Sequence, residues 1–288
     1  MPELPEVEVT RRKLAPYLEG RRITRVRTSR ATQLFLTSPR TLQRRLVGRT
    51  PITLSRIGKY LVALLDDGQR LVLHLGMTGQ LSAAGRIMPT SLVRGPARAG
   101  PACPARPDRH THLRLGFADA GAELWFRDVR RFGKVLLLAS GQSDRRLDRL
   151  GTDALSARGA ELYAAARRRR VPIKTLLLDQ SVLAGVGNIY ADEALFATGI
   201  RPTRRACRLR RADCERLVRV LRRLMLRSIQ LGGTTVSDFF DPEGNQGAYQ
   251  QALRVYGRQG EPCWRCREPV RRLVLAQRSA HFCAHCQK

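Results

Sequence analysis

Four cysteines near the C-terminus constrain the fold more than any other feature of this chain. Two residues separate Cys263 from Cys266, two separate Cys283 from Cys286, and sixteen lie between the pairs. Two knuckles at that spacing place four thiolates at the corners of a tetrahedron, as one structural Zn²⁺ requires. With cysteine at every corner no position is left open for water, so such a metal holds a fold and takes no part in chemistry. Two disulfides are the competing arrangement, disfavoured in a cytosolic chain. Cys103, Cys207 and Cys214 lack partners at such spacing and read as plain thiols.

The finger is basic, with Arg265, Arg267, Arg271, Arg272 and Arg278, and so is the whole chain: 53 Lys+Arg against 24 Asp+Glu leave +29. That excess is spread along the sequence and calls for a polyanionic partner, nucleic acid by default. An anionic membrane fits less well, because no apolar run reaches spanning length and no amphipathic anchor stands out. Glu3, Glu6 and Glu8 occupy the place of a signal peptide's apolar region, so a cytosolic location is expected. Lysine occurs only at positions 13, 59, 134, 174 and 288. In an arginine-rich chain a lysine is informative, because its pKa is tunable and its ammonium can act as a point-charge donor or proton shuttle.

The 288 residues, 43% hydrophobic, suggest two domains and a small appendage. LPEVEVTRRKLAPYLEG reads as a helix, with Pro5 in its first turn, acids at its positive end and Gly20 after its close. Val7, Leu14 and Leu18 share one face. Strand-like runs follow: RITRVRT, TPITLSRI, KYLVALL and RLVLHLGM, then THLRLGFA, AELWFRD and GKVLLLA. Turns at Asp66-Asp67-Gly68 and Asp119-Ala120-Gly121 make hairpins. Residues 85–109, rich in Pro, Gly, Ala and Arg, read as a long flexible loop. GQSDRRLDRLGTDAL reads as a linker. Beyond it come helical patterns in GAELYAAARRRR, PIKTLLLD, NIYADEALFATG and ADCERLVRVLRRLMLRSIQ, with QSVLAGVG reading as unstructured. The expected fold is α+β: an antiparallel β-sandwich with flanking helices over 1–150, a helical domain over 151–254 and the zinc finger over 255–288.

Two further stretches carry chemistry. Gly185 and Gly187 precede a helix starting near Asn188, whose free N–H groups suit a phosphate, with Lys174 and Arg167–Arg170 adding charge. A glycine-joined helix pair is also ordinary core architecture. MPELPEVE has two readings as well. In one, Pro2 and Pro5 end a frayed tail and the glutamates are solvated cap charges. In the other, removal of Met1 leaves Pro2 as a secondary amine beside carboxylates. Such an amine can attack a sugar C1′, expel the base and form an iminium that acidifies C2′. Glu3 would then move protons, while Glu6 holds a water or orients the terminus.

PELPEVE, IGKYL, HLGMTG, RRFG, AGVGNIYADEALF, LRVYGRQGEPC and the finger ending in CQ together resemble the formamidopyrimidine-DNA glycosylase family nearly end to end. The resemblance implies a bifunctional glycosylase and lyase for oxidised purines in duplex DNA, working as a monomer in the bacterial cytoplasm at the nucleoid. It implies Pro2 as Schiff-base nucleophile, Glu3 as proton donor, Lys59 in β-elimination and at the lesion phosphate, and Arg278 in δ-elimination. His110, Arg130, Arg170, Lys174 and Asn188 fall at DNA-contacting positions, and Met77, Arg130 and Phe132 at those filling the gap of an everted nucleotide. By residue type alone, Met77 and Phe132 could be core and His110 a surface histidine. GGTTVSDFFDPEGNQGAYQ resembles the mobile loop that covers the base, and Leu4 with the LPEVE continuation favours the purine branch. Val129 replaces the family's usual proline, and the 85–109 connection is longer than usual, which bears on whether Met77 and Arg130 converge. The rivals are an endonuclease VIII-like enzyme for oxidised pyrimidines and a non-catalytic zinc-bearing DNA-binding protein.

Overall fold

Eight strands and two helices of the N-terminal region meet in one core, and the alternation along each strand decides which face looks inward. A computed structural model describes residues 2–84, 107–119, 121–236 and 239–288. Its chain divides into two units, Met1–Asp144 with Leu231–Ala248, and Arg145–Gln230 with Tyr249–Lys288. The expected 85–109 loop falls outside the described residues over 85–106, as does Cys103.

The first unit opens with α1 (Leu4–Leu14), in which Pro5 sits where a missing N–H costs nothing. Pro16 cannot donate to the next turn, so the helix tightens into a 3₁₀ turn over Ala15–Tyr17. Then come β1 (Ile23–Thr28), α2 (Pro39–Leu46), β2 (Pro51–Ile57), β3 (Tyr60–Leu65), β4 (Arg70–His74), β5 (Gly79–Ala84), β6 (Thr111–Phe117), β7 (Glu123–Asp128) and β8 (Lys134–Leu138). They form two antiparallel four-stranded sheets, ordered β1-β6-β7-β5 and β2-β3-β4-β8. Leu61, Leu73 and Val135 lie side by side across the second sheet, as do Leu54, Ala63, Leu71 and Leu137. Both rows share a core with Leu81, Leu113, Leu115, Leu124 and Phe126 of the first sheet. Val7 and Leu14 close it from α1, Leu18 from just beyond the 3₁₀ turn, and Leu42 and Leu46 from α2. Each such aliphatic side chain contributes about 1.5–3 kcal/mol on burial.

Two elements were not expected. The α2 helix starts on Ser38, whose Oγ accepts from Thr41 N at 3.2 Å. Strand β5 consists of small and polar residues with little strand propensity; it forms because it pairs along its length with β7.

The second unit contains α3 (Arg145–Asp148), β9 (Thr152–Asp153), α4 (Gly159–Arg167), α5 (Ile173–Leu178), β10 (Leu183–Ala184), α6 (Asn188–Thr198), α7 (Arg211–Gln230), β11 (Arg271–Leu275) and β12 (Arg278–Phe282). Here one expectation is corrected, and the expected linker, which does contain the boundary between the units, is itself structured. The expected linker holds α3 and β9, and QSVLAGVG holds β10, which pairs in parallel with β9. Gly151 makes this possible: a Cβ there would come within 2.5 Å of the Ser181 carbonyl oxygen. The α6 helix is apolar nearly all round and buried, and Tyr190 Oη meets Ser228 Oγ of α7 at 2.6 Å. Among the described residues no helix is long and apolar enough to cross a membrane.

Candidate active site

Glu3 and Glu6 are 2% exposed each, and Pro2 is buried. The frayed-tail reading therefore fails, since these carboxylates are not solvated cap charges. Glu6 instead joins two segments. One oxygen accepts Glu3 N at 2.9 Å, which caps α1, and the other accepts Thr234 N at 2.9 Å from the glycine-rich 231–248 segment. That segment belongs to the first unit by packing. Its neck is closed by Ala248 N donating to Leu231 O, and Gly247 lies against the Gly233 carbonyl, where a Cβ would sit 2.2 Å from the oxygen. Only glycine fits there.

Lys59 occupies the two-residue hairpin between β2 and β3 and is 7% exposed. Gly58 before it takes φ +57°, which a two-residue hairpin with glycine first requires. Arg56 fastens this hairpin to α1: its Nη1 donates to Gly58 O at 2.9 Å and its Nε to Glu8 at 3.2 Å. Burial would raise the Glu8 carboxyl, but hydrogen bonds from Arg11 and Arg12 and the Arg11 and Arg56 charges hold it down at about 2. The clamp stays ionised until pH falls towards that value. Burial, with the positive charges of Lys59 and Lys134, lowers His74 to about 4, so its ring is neutral. Its Nδ1 accepts Gly76 N at 3.1 Å and so aims the loop that carries Met77.

Met77 and the Arg130–Phe132 loop do converge. Gly76 packs on the backbone of Phe132 and Gly133, where a Cβ would come within 2.6 Å of both residues. Asp128, fully buried, organises both loops: Oδ1 accepts Thr78 Oγ1 at 2.6 Å and Arg130 N at 3.2 Å, and Oδ2 accepts Gly133 N at 2.7 Å. Behind it the His112 ring, neutral because burial pushes it down, bonds the Asp128 carbonyl at 2.9 Å. Phe132 is 49% exposed with the Arg130 guanidinium 4.7 Å from its ring centroid, so it is not core; Met77 is half-buried. His110 accepts from Arg109 through Nε2 at 3.2 Å, leaving Nδ1 without a partner. Nothing in the residue types singled out Asp128; the only signal was an acid ending a strand just before RRFG. Asp128→Ala leaves the Gly133 N–H and the Thr78 hydroxyl without their acceptor, while Arg130 N keeps only Thr78 Oγ1 at 3.1 Å. A stability loss of about 2–3 kcal/mol is expected in a urea melt, since bonds to a charged group are the strong ones.

In the second unit, Asn188 opens α6 behind Gly187, and its amide Nδ2 donates to Ser279 Oγ at 3.2 Å. Its Oδ1 is buried without a partner. Lys174 is fully buried, donating to Asp192 at 2.6 Å and to the Ser279 carbonyl. Asp192, also fully buried, accepts His281 N at 2.9 Å through its other oxygen, and so ties β12 to two helices. Sequence reasoning missed this carboxylate. Arg170 and Arg278 are exposed. Arg278 follows a two-residue turn in which Ala276 and Gln277 take φ +45° and +63°. Both positive values are normally left to Asn or Gly, and strain of this kind, on the order of 1–3 kcal/mol per residue, persists where the surroundings enforce it. What enforces it is the two-residue hairpin between β11 and β12, which requires both angles to be positive.

The four sulfurs of Cys263, Cys266, Cys283 and Cys286 lie within 4.8 Å of one another. A tetrahedral Zn²⁺ with bonds of about 2.3 Å sets its ligand sulfurs about 3.8 Å apart. Burial, together with the surrounding sulfurs, pushes Cys286 far above the usual thiol range, so four adjacent thiolates need a cation to coexist. Phe196, Val255 and Val270 pack around the cluster. The donor set fits one structural zinc and leaves no position for a reactant.

A β-sandwich led by a Pro-Glu helix, a glycine-turn helical unit and a thiolate finger, on a chain of charge +29, define a zinc-bearing DNA-binding protein. Comparison with known proteins narrows the class. The Formamidopyrimidine-DNA glycosylase N-terminal domain matches residues 1–135, the Formamidopyrimidine-DNA glycosylase H2TH domain 150–240, and the zinc finger found in FPG and IleRS 260–288. The formamidopyrimidine-DNA glycosylase of Solibacter usitatus is 41% identical over 288 residues, with 100% of each chain covered. The crystal structure of MutM (Fpg) from Thermus thermophilus superposes with TM-score 0.84 at 37% identity, covering 99% of this chain and 98% of that one. A Lactococcus lactis Fpg variant in complex with a Fapy-dG containing DNA gives TM-score 0.85 at 30% identity, covering 100% of both. The chain belongs to the formamidopyrimidine-DNA glycosylase family.

Proposed function

We propose that this chain excises oxidised purines, 8-oxoguanine and formamidopyrimidines, from duplex DNA and then cleaves the strand by β,δ-elimination. Membership of the family supports the activity, and the buried Pro2-Glu3 pair at the head of α1 carries the mechanism. The residues divide the work by region: catalysis over 1–150, duplex binding over 151–254 with the 232–250 segment covering the base, and the finger over 255–288. The enzyme acts on the chromosome in the cytoplasm.

With Met1 removed, the Pro2 nitrogen is a secondary amine, partly unprotonated at neutral pH because an α-amino group titrates near ~8. It attacks C1′ of an everted nucleotide. The C1′–base bond breaks, the sugar ring opens, and Glu3 delivers a proton as the base departs. Proline's adduct is an iminium without an N–H to lose, so it stays cationic and acidifies C2′. Loss of the C2′ proton expels the 3′ phosphate, with Lys59 holding the lesion phosphate. A second elimination expels the 5′ phosphate at Arg278, and hydrolysis of the imine restores the amine. Met77, Arg130 and Phe132 fill the vacated stack, while His110, Arg170 and Asn188 take phosphates. Lys174 serves the same contact from inside, by holding the Ser279 carbonyl beside Arg278.

The test is single-turnover excision on matched duplexes, 8-oxoguanine opposite cytosine against thymine glycol opposite adenine. 8-oxoguanine should be removed faster by about tenfold or more, roughly 1.4 kcal/mol in barrier. The reverse order would assign the chain to pyrimidine lesions.

A further inference from the structure

Among the five lysines, the two clearest surprises are Lys59 and Lys13, and the proposed reaction uses only the first. Lys13 lies in the last turn of α1 and reaches the 231–248 segment, donating to Asp241 Oδ2 at 2.6 Å and Glu243 at 2.8 Å. Asp241 is 5% exposed and its two oxygens have different work. Oδ1 accepts Glu243 N at 2.9 Å and Asn245 N at 3.0 Å, which builds the turn that Gly244 closes at φ +85°. Oδ2 receives the lysine, with Asn245 Nδ2 a longer second donor at 3.3 Å. Burial works against the Lys13 charge, but its hydrogen bonds to both acids outweigh that and raise its pKa, so it is an ammonium at working pH.

We propose that Lys13 is a positioning residue for base excision: its ion pair with Asp241 and Glu243 sets the register of the 231–248 segment over the flipped base. The inference rests on the reading above that this segment covers the base. Two fastenings on one helix support it. Near the head of α1, Glu6 holds Thr234 on the near limb; near its end, Lys13 holds Asp241 on the far limb. At 1.5 Å per residue, Glu3 and Lys13 stand about 15 Å apart on a rigid rod. The nucleophile and both limbs of the cover are thereby placed by one element. Between the fastenings lies Val236, 54% exposed, while Phe239 and Phe240 are seated in the unit. The far limb also meets β5, where Ala83 N donates to Pro242 O at 3.4 Å, a long bond that directs weakly. A compact ammonium can serve two carboxylates at once, and the sequence departs from its arginine habit here.

A preformed abasic site has no base to cover, so it separates positioning of the cover from the integrity of the fold. In Lys13→Met, single-turnover release of 8-oxoguanine should fall about tenfold, while strand cleavage at an abasic site stays within about twofold. Lys13→Arg keeps the ion pair and should restore most of the excision rate. Unchanged 8-oxoguanine release in Lys13→Met, or an equal fall in both reactions, overturns the proposal. A wild-type chain that cleaves abasic DNA yet leaves 8-oxoguanine in place overturns instead the substrate reading beneath it.

Discussion

Borohydride added during reaction with an 8-oxoguanine duplex is expected to leave the chain covalently joined to DNA through Pro2, and any residue ahead of Pro2 should abolish that adduct. Only an imine is reduced to a stable amine, so trapping reports the Schiff base itself. An N-terminal tag, or retained Met1, turns the amine into an amide whose lone pair is delocalised into the carbonyl, and the loss should be complete. Denaturing electrophoresis of tagged and untagged chains reads it directly. Undiminished trapping by a tagged chain would remove Pro2 from the mechanism. Glu3→Gln separates the two halves of the reaction: base release should fall by a factor on the order of 10²–10⁴ with DNA affinity retained, because shape persists and proton delivery does not.

The second large effect is expected at the finger. Cys283→Ser should release the zinc, because three thiolates and a hydroxyl make a far poorer site than four thiolates. Structural zinc binding is worth about 10–16 kcal/mol to folding in small finger peptides, strongly dependent on pH. The largely exposed β11 strand and the small cluster around Phe196, Val255 and Val270 cannot replace that. Without the metal the hairpin keeps only the ties of β12 to Asp192 and Lys174, and the turn at Ala276 and Gln277 that places Arg278 loses its other support. Metal analysis should fall from one zinc per chain to none, limited proteolysis should cut within 255–288, and affinity for an abasic-analogue duplex should drop at least about a hundredfold, roughly 2.7 kcal/mol. Stoichiometric zinc with normal binding in this variant would contradict the assignment.

What could be read in the sequence was whatever depends on neighbours along the chain. Hairpins such as β3–β4, with Asp66-Asp67-Gly68 between alternating strands, announce themselves by turn chemistry, and the helix start at Asn188 by the glycines before it. The thiolate cluster is legible because four ligands at fixed spacing leave few alternatives. Partners distant in sequence leave no such trace. Strand β5 has the composition of a loop and exists because β7 offers it hydrogen bonds. The β9–β10 pair joins two short segments, well separated along the chain, that each look structureless. Asp128 and Asp192 look like ordinary surface acids until burial and the N–H groups converging on them are seen. Lys174 was legible as a cation near the phosphate helix, but its complete burial against Asp192 was not. Glu3 and Glu6 were recognised for chemistry and Glu8 only as a charge, whereas their mechanical roles, Glu6 holding the 231–248 segment and Glu8 holding the Lys59 hairpin, appear only in three dimensions.

Anchoring the Met77 loop and the Arg130–Phe132 loop on one carboxylate has an evolutionary consequence. Strands β5 and β6 flank β7 on opposite sides, so the ends of the long connection between them are held at a spacing fixed by the sheet. Asp128 and the close approach of Gly76 to Gly133 hold the Met77 and Arg130 loops together from the sheet side. Doubling the length of the β5–β6 connection adds only about 0.6 kcal/mol of closure entropy. Lineages are free to lengthen, shorten or decorate it at little entropic cost, while the anchoring of the two loops stays in the sheet.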